Sequence, residues 1–183
     1  MEKSQLLRKS RRESGFTLIE TMVAILVMTI GLFSVAALMS QSVNTTAHSR
    51  YQTMAAMLAT EKLEDLNRYP SDDAHLVPGG SLGADNAGYF DDVQTSTDNG
   101  VISETTSDAG GTTSYVQQPG AGVTVTQGGA LPPPTPDTLT FDRRWTVVKD
   151  TPVVGVRQIT VLVTLTNKML NPPVTYQISV VHQ

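Results

Sequence analysis

The chain contains no cysteine. Disulfides, thiolate metal sites, cysteine nucleophiles and a cysteine-borne lipid anchor are thereby excluded together. Aromatic residues make up only 5% of the 183, with a single tryptophan, so a core has to be built mainly from aliphatic side chains. Positive charge is scarce beyond the beginning of the chain. Residues 1–15 hold five of the basic and two of the acidic side chains, which leaves eight bases against fifteen acids in the remainder. That acidic balance offers no general basic patch, and nucleic acid is not an expected partner; Arg143, Arg144 and Lys149 are the only local basic cluster. Catalytic signatures are missing as well. His48, His75 and His182 lie far apart, and no HExxH, GxSxG or Walker pattern accompanies them. The expectation is a protein that is not an enzyme and carries no cofactor, built as one domain or one domain plus a tail.

The most informative stretch is an apolar run. Phe16 to Met39 spans 24 residues with one ionisable side chain, Glu20. About 20 predominantly apolar residues are enough to cross a bilayer as a helix. Lys3, Arg8, Lys9, Arg11 and Arg12 flank it on the N-terminal side, which predicts a cytoplasmic N-terminus and an exported remainder. A carboxylate inside hydrocarbon costs a few kcal/mol on insertion scales, so Glu20 is a functional candidate by its position alone.

A basic leader, then Gly15-Phe16-Thr17-Leu18-Ile19-Glu20, then an apolar helix, resembles the processing and assembly signature of type IV prepilins and their pseudopilin relatives across residues 8 to about 40. The resemblance implies cleavage between Gly15 and Phe16 by a prepilin peptidase, which also methylates the new amino group of Phe16. It implies that Glu20 neutralises the N-terminal ammonium of a neighbouring subunit as the protein leaves the inner membrane for a helical filament. Other major and minor pilins and the pilus assembly machinery are then the implied partners. The electrostatics agree, because an unpaired acid and an unpaired ammonium are each penalised in hydrocarbon. Many pilins close a C-terminal loop with a disulfide, and this chain has to manage without one. Major pilins often carry a proline within the apolar helix. Here Ala37 stands in that region with Gly31 before it, and glycine, costing about 1 kcal/mol against alanine in a helix interior, either loosens the helix or permits close helix contact.

The helical pattern continues past the apolar run. Val43, Ala47, Tyr51, Ala55, Ala59, Leu63 and Leu66 recur at spacings of three and four, with Met54 and Leu58 alongside, one apolar face of an amphipathic helix. Pro70 ends it near Arg68 or Tyr69. Downstream, eleven of the fourteen glycines fall between Gly79 and Gly129, among Ser, Thr, Asp and Asn, so 70–137 reads mostly as an exposed variable loop region, with Val101-Ile102, Tyr115-Val116 and Val123-Thr124-Val125 as candidate brief strands, closed by the stiff Pro132-Pro133-Pro134-Thr135-Pro136 segment. Residues 139–149, 156–166 and 174–182 are rich in Val, Ile and Thr, and Ile159, Val161, Val163 and Leu165 alternate with Gln158, Thr160, Leu162 and Thr164. These predict a three-stranded antiparallel meander packed on the helix stripe. The expected fold is α+β: leader 1–15, long N-terminal helix 16–69 with 16–39 transmembrane, loop region 70–137, and antiparallel β-sheet head 138–183. Arg143-Arg144-Trp145 followed by Thr151-Pro152 and a Thr/Val strand resembles the tail of PilV-like minor pilins.

These readings lead to a structural minor pilin of a type IV pilus, first a single-pass inner-membrane prepilin and then extracellular. The alternatives are a minor pseudopilin of a type II secretion system, a membrane-anchored surface binding protein or adhesin, and a secreted protein cleaved after Ser34-Val35-Ala36, with Ser10-Arg11-Arg12 as a twin-arginine signal. In the acid-rich region Asp91, Asp92 and Asp98 are the candidate calcium ligands, with Asp85, Asn86 and Asn99 nearby; some pseudopilins bind calcium, but the spacing is not that of an EF-hand. Tyr89-Phe90 and Arg144-Trp145 are candidates for surface contact, weighed against closing the helix–sheet core.

Overall fold

The computed structural model describes residues 16–98, 101–108, 111–118, 122–128, 137–168 and 170–182, the side chains of 98, 101 and 118 excepted. The long helix α1 runs from Leu18 to Asn67 without a break, so Gly31 sits in continuous helix with open space around it. By its contacts the chain divides after Thr45 into two units.

In the first unit the helix is apolar on every side. Ile19, Met22, Leu26, Phe33 and Met39 are among its exposed large side chains, and its most apolar 18-residue window has a mean hydropathy of 2.5, long and apolar enough to cross a membrane. Its few hydroxyls bond back to the helix. Thr21 and Thr29 donate to the carbonyls of Leu18 and Leu26, and Ser34 to that of Ile30, all at 2.8–2.9 Å. Such bonds leave little polar capacity for which a hydrocarbon environment would have no partner.

The second unit, Thr46 onward, packs the rest of α1 against one antiparallel sheet. Eight strands are present among the described residues: β1 (Gly79–Gly80), β2 (Phe90–Asp98), β3 (Val101–Asp108), β4 (Gly111–Gln118), β5 (Gly122–Gln127), β6 (Leu139–Lys149), β7 (Arg157–Leu165) and β8 (Thr175–His182). Their order is β5-β4-β3-β2-β6-β7-β8, and β1 pairs with β6 beyond the end of β2. The predicted C-terminal meander is there almost residue for residue. The expected loop is not. Strands β2 to β5 occupy the described residues there instead, because antiparallel pairing satisfies their backbone groups even where their side chains contribute little to a core. Thr, Ser and Gln fit a pleated surface with two polar faces, and period-2 apolar patterning cannot reveal such strands.

The core follows from two periodicities. Ala55, Leu58, Ala59 and Leu66 are buried on α1, with Tyr51, Met54 and Leu63 partly so, while Val43, counted in the same stripe, is exposed. The sheet meets them with Val93, Leu139, Phe141, Trp145, Val147, Ile159, Val161, Val163 and Leu165, the alternate residues of β2, β6 and β7. The small residues Ala55 and Ala59 are fully buried at this face. At the β1 crossing only glycine fits: Gly80 has φ +86°, and a Cβ there would collide with the Trp145 carbonyl oxygen and the Tyr89 ring.

One charged group belongs to this apolar face. Asp91 and Arg143 are direct cross-strand partners on β2 and β6, both buried. Arg143 Nε and Nη2 donate to the two carboxylate oxygens at 2.7 and 3.0 Å, a bidentate pair. Lys62 Nζ approaches Asp91 Oδ2 at 3.1 Å and lies 4.2 Å from the Trp145 ring centre. Arg143 Nη1 is 3.4 Å from the Leu58 carbonyl and 3.9 Å from Glu61. Removing one member of a buried pair strands the other charge, so Asp91→Asn is expected to destabilise the head by about 3 kcal/mol. Thermal unfolding followed by the fluorescence of the single tryptophan checks this, and the apolar double replacement Asp91→Leu with Arg143→Met should lose less than Asp91→Asn alone.

Candidate assembly segment and the charged sites of the head

Thr17 closes the start of α1. Its Oγ1 accepts from the Glu20 amide at 3.3 Å, and its carbonyl accepts from the amides of Glu20 and Thr21 at 3.0 and 3.2 Å. Thr17-x-x-Glu20 is therefore a helix N-terminal signature, with Glu20 in the first turn where the positive end of the helix dipole favours a carboxylate. That local benefit is small, a few tenths to 1 kcal/mol, and is less than the insertion cost of an acid in hydrocarbon. Capping alone thus does not account for an acid at this depth. Phe16 is 80% exposed immediately before the cap; Gly15, the other side of the expected cleavage, lies outside the described residues. Met39 is exposed within continuous helix, so the end of the apolar run is a change of composition and not of backbone.

The candidate calcium ligands are not brought together. Asp91 and Asp92 are consecutive in β2 and point to opposite faces of the sheet. The Asp91 carboxylate is already engaged by Arg143 and Lys62, and the side chain of Asp98, like Asn99, lies outside the described residues. Among the described residues no group of three or more His, Asp or Glu side chains is arranged to hold a metal. Asp91 and Asp92 are thus separated: one carboxylate serves as a counter-ion in the core, and the other faces away from it.

On that opposite face Asp92 stands directly across from Asp142. Arg144 bridges Asp142 at 3.0 Å and Asp85 at 2.6 Å, and its guanidinium lies 5.8 Å from the Phe90 ring. Arg144 is shared between Asp142 and Asp85, while Asp92 faces the Asp142 carboxylate across the strand pair. Burial first, then the hydrogen bond and charge of Asp142, push the Asp92 carboxyl up to about 6. The surface aromatics divide accordingly: Phe90 lies beside the Arg144 guanidinium, while Trp145 is buried and Tyr89 packs against the core.

His48 and His182 hold backbone carbonyls, and His75 holds a carboxylate. His48 Nε2 lies 3.3 Å from the Pro172 carbonyl and His182 Nε2 3.0 Å from that of Tyr69. His75 stacks on Tyr69 and contacts Asp73 at 2.6 Å. The His75 backbone amide, bonding to Asp73, holds that carboxyl below its ordinary range.

Sequence reasoning overlooked the Asp91–Arg143 pair. A signal was there: Arg143 shares its strand parity with Leu139, Phe141, Trp145 and Val147, which places it on the core face and demands an acid beside it.

Residues 10–36 match the family model described as the prokaryotic N-terminal methylation motif. No curated protein and no solved structure matched the chain. The motif and the long apolar helix together support a type IV prepilin-like protein, pilin-like or pseudopilin-like, anchored in a membrane before assembly with other pilins.

The acid pair carries a pH signature of definite sign. The folded state binds the Asp92 proton more tightly than an unfolded chain, where the ordinary value is 3.8. The stability this proton confers is full below that value and is lost as pH rises through about 6. Asp92→Asn removes the repulsion, so it should stabilise the head at pH 8 by about 1 kcal/mol, allowing for solvent screening, and have little effect near pH 4. Melting curves of both proteins at the two pH values measure it.

Proposed function

We propose that this protein is a structural minor pilin of a type IV pilus, of the PilV-like kind, without enzymatic activity. It is made as an inner-membrane prepilin with its N-terminus in the cytoplasm and its head in the periplasm. A prepilin peptidase cleaves between Gly15 and Phe16 and methylates Phe16, and the subunit then enters an extracellular filament. The observation that carries the reading is the methylation motif at 10–36 continuing into a helix that is apolar on every side. A helix with no polar face has no stable place in water. It requires lipid or a sheath of similar helices, and a filament core of packed α1 segments supplies the second.

In this role Glu20 acts at the moment of transfer. In lipid it is an acid in search of a cation, and a methylated ammonium at Phe16 of an adjacent subunit is a cation in search of an acid. Pairing them offsets both desolvation costs and fixes the axial position of the incoming subunit. The arrangement of Arg143, Arg144 and Trp145 ahead of the β6–β7 turn supports a pilus subunit of the PilV-like kind, as does the long Gly-rich segment before β6.

The test is the intact mass and N-terminal residue of membrane-extracted protein, expressed with and without a prepilin peptidase. The expected product is peptidase-dependent and begins at N-methylated Phe16. A chain still beginning at Met1, or a soluble one cut after Ala36, would sink the proposal. Glu20→Ala should still be cleaved yet be at least tenfold depleted in sheared filaments. A deletion strain that keeps its pili and loses protein secretion would assign the subunit to a type II system.

A further inference from the structure

Two edges of the sheet are open. Among the described residues no strand pairs with the far side of β5 or of β8. Native edge strands are usually guarded by a charge, a proline or a bulge, because their unpaired N–H and C=O groups are a template for another strand. Gly122–Gln127 holds no Lys, Arg, Asp, Glu or Pro, and neither does Thr175–His182.

One hydrogen bond at each edge fixes which backbone groups point outward. The Gly128 amide donates to the Thr112 carbonyl, and bonded pairs alternate from there, so Gly122, Thr124 and Thr126 bond β4. Val123, Val125 and Gln127 turn their backbone groups to the open side. At the other edge the Leu165 amide donates to the Val174 carbonyl, so Tyr176, Ile178 and Val180 bond β7. Thr175, Gln177, Ser179 and Val181 then point outward, with Gln52 Nε2 already donating to the Thr175 carbonyl at 3.2 Å.

The faces complete the match. Val125 shares the core face through the register Val125–Tyr115–Glu104–Thr95, as does Val123 two residues before it. Tyr176, Ile178 and Val180 pack against the core on that same face. The outward groups therefore belong to core-face residues on β5 and to opposite-face residues on β8. A parallel pair requires that parity, since each bonded residue lies opposite one whose bonds point away. Six antiparallel steps separate the two edges, so both run in the same direction along the ladder. A second copy laid beside the first, same face up, presents β8 to β5 in parallel.

We propose that the β5 edge of one head pairs in parallel with the β8 edge of a second copy, Val125 lying opposite Ile178. The amides of Val123, Val125 and Gln127 donate to the carbonyls of Thr175, Gln177 and Ser179. Their carbonyls accept from the amides of Gln177, Ser179 and Val181. Val123 and Val125, 62% and 53% exposed in the single head, are covered by Tyr176 and Ile178. The chain itself specifies the occupant, because its two edges agree in direction, parity and apolar row. The contact is heterologous, so each copy keeps one open edge for a further copy. The inference concerns the head alone and does not depend on the filament reading.

The absence of cysteine makes the test direct. Thr124→Cys and Gln177→Cys each place one thiol on an exposed residue of the face away from the core. In this register the two positions are opposite, within disulfide reach. Full chains in detergent are mixed and mildly oxidised, with Lys149→Cys, another exposed position, as the collision control. The heterodimer of the first two, identified by mass, is expected to form at least tenfold faster than that of Thr124→Cys with Lys149→Cys. Adding Val125→Pro removes an outward amide and no bond to β4, so it should slow the cross-link at least tenfold and leave the melting curve unchanged. If that variant melts lower, Val125→Lys, a guard of the natural kind, decides in its place. Equal rates for the two mixtures overturn the proposal. So does faster coupling of Thr124→Cys to itself, which marks a two-fold β5–β5 contact, or a cross-link indifferent to the substitution at Val125.

Discussion

The head depends on the buried pairing of Asp91 with Arg143. Two charges removed from water have to meet with good geometry, or the fold loses several kcal/mol. The geometry here is two parallel N–H···O bonds between direct cross-strand partners, with Lys62 from the helix on the same carboxylate. The pair therefore specifies three things together: which strand neighbours β6, in which register, and which turn of α1 lies over them. The sequence doubles both charges, as Asp91-Asp92 and Arg143-Arg144, and the pleat separates each doublet into an inner and an outer member. A slip of one residue in β2 would turn Asp92 toward the core and Asp91 outward. The inner arginine would then lose its aligned carboxylate, so the ion pair acts as a register lock where hydrophobic contacts alone would tolerate several alignments.

The outer members obey a different rule because they face water. Arg144 is shared between Asp142 and Asp85, and Asp92 is left beside Asp142 with no cation of its own. Such an arrangement is tolerable at the surface, where solvent screens the repulsion, and would be ruinous on the inner face. The same residue types thus hold the core on one side and confer a modest pH response on the other. In the first unit the requirement is reversed again: side chains are apolar all round, and hydroxyls turn back onto the helix. Each part of the chain is fitted to a distinct solvent.

How much of this was legible follows from where periodicity exists. The helix, its stripe from Tyr51 to Leu66, and strands β6 to β8 were readable because one face of each meets a core and burial writes a period into the sequence. Strands β3 to β5 were legible only as the short apolar pieces at 101–102, 115–116 and 123–125, since Ser103, Glu104, Thr105, Thr106, Ser107 and their neighbours carry little apolar contrast. What remained was turn chemistry at regular spacing: Asn99-Gly100, Gly110-Gly111 and Gly120 recur about every ten residues, the interval of a hairpin series. Phe16 and Glu20 were legible for another reason, as local chemistry in a fixed register needs no tertiary context. Asp91 was visible as an acid but misassigned, because its role depends on a partner 52 positions away.

The sheet is consequently graded. Strands β6 and β7 carry most of the buried side chains, β2 contributes Val93, Asp91 and Thr95, and β5 has every residue exposed. Backbone pairing is continuous across all of them, so the difference lies in side-chain burial and not in hydrogen bonds. Local opening costs least where few apolar contacts and solvent-exposed backbone bonds coincide, which puts β4 and β5 at the low end and β6 and β7 at the top. Composition in β3 to β5 is correspondingly less constrained by the hydrophobic core, which draws no member from those strands, although Thr105 and Thr112 are buried. Sequence change can accumulate on that arm while Asp91, Arg143 and the helix stripe keep the head in register, so the fold separates a surface free to vary from the ion pair that holds it.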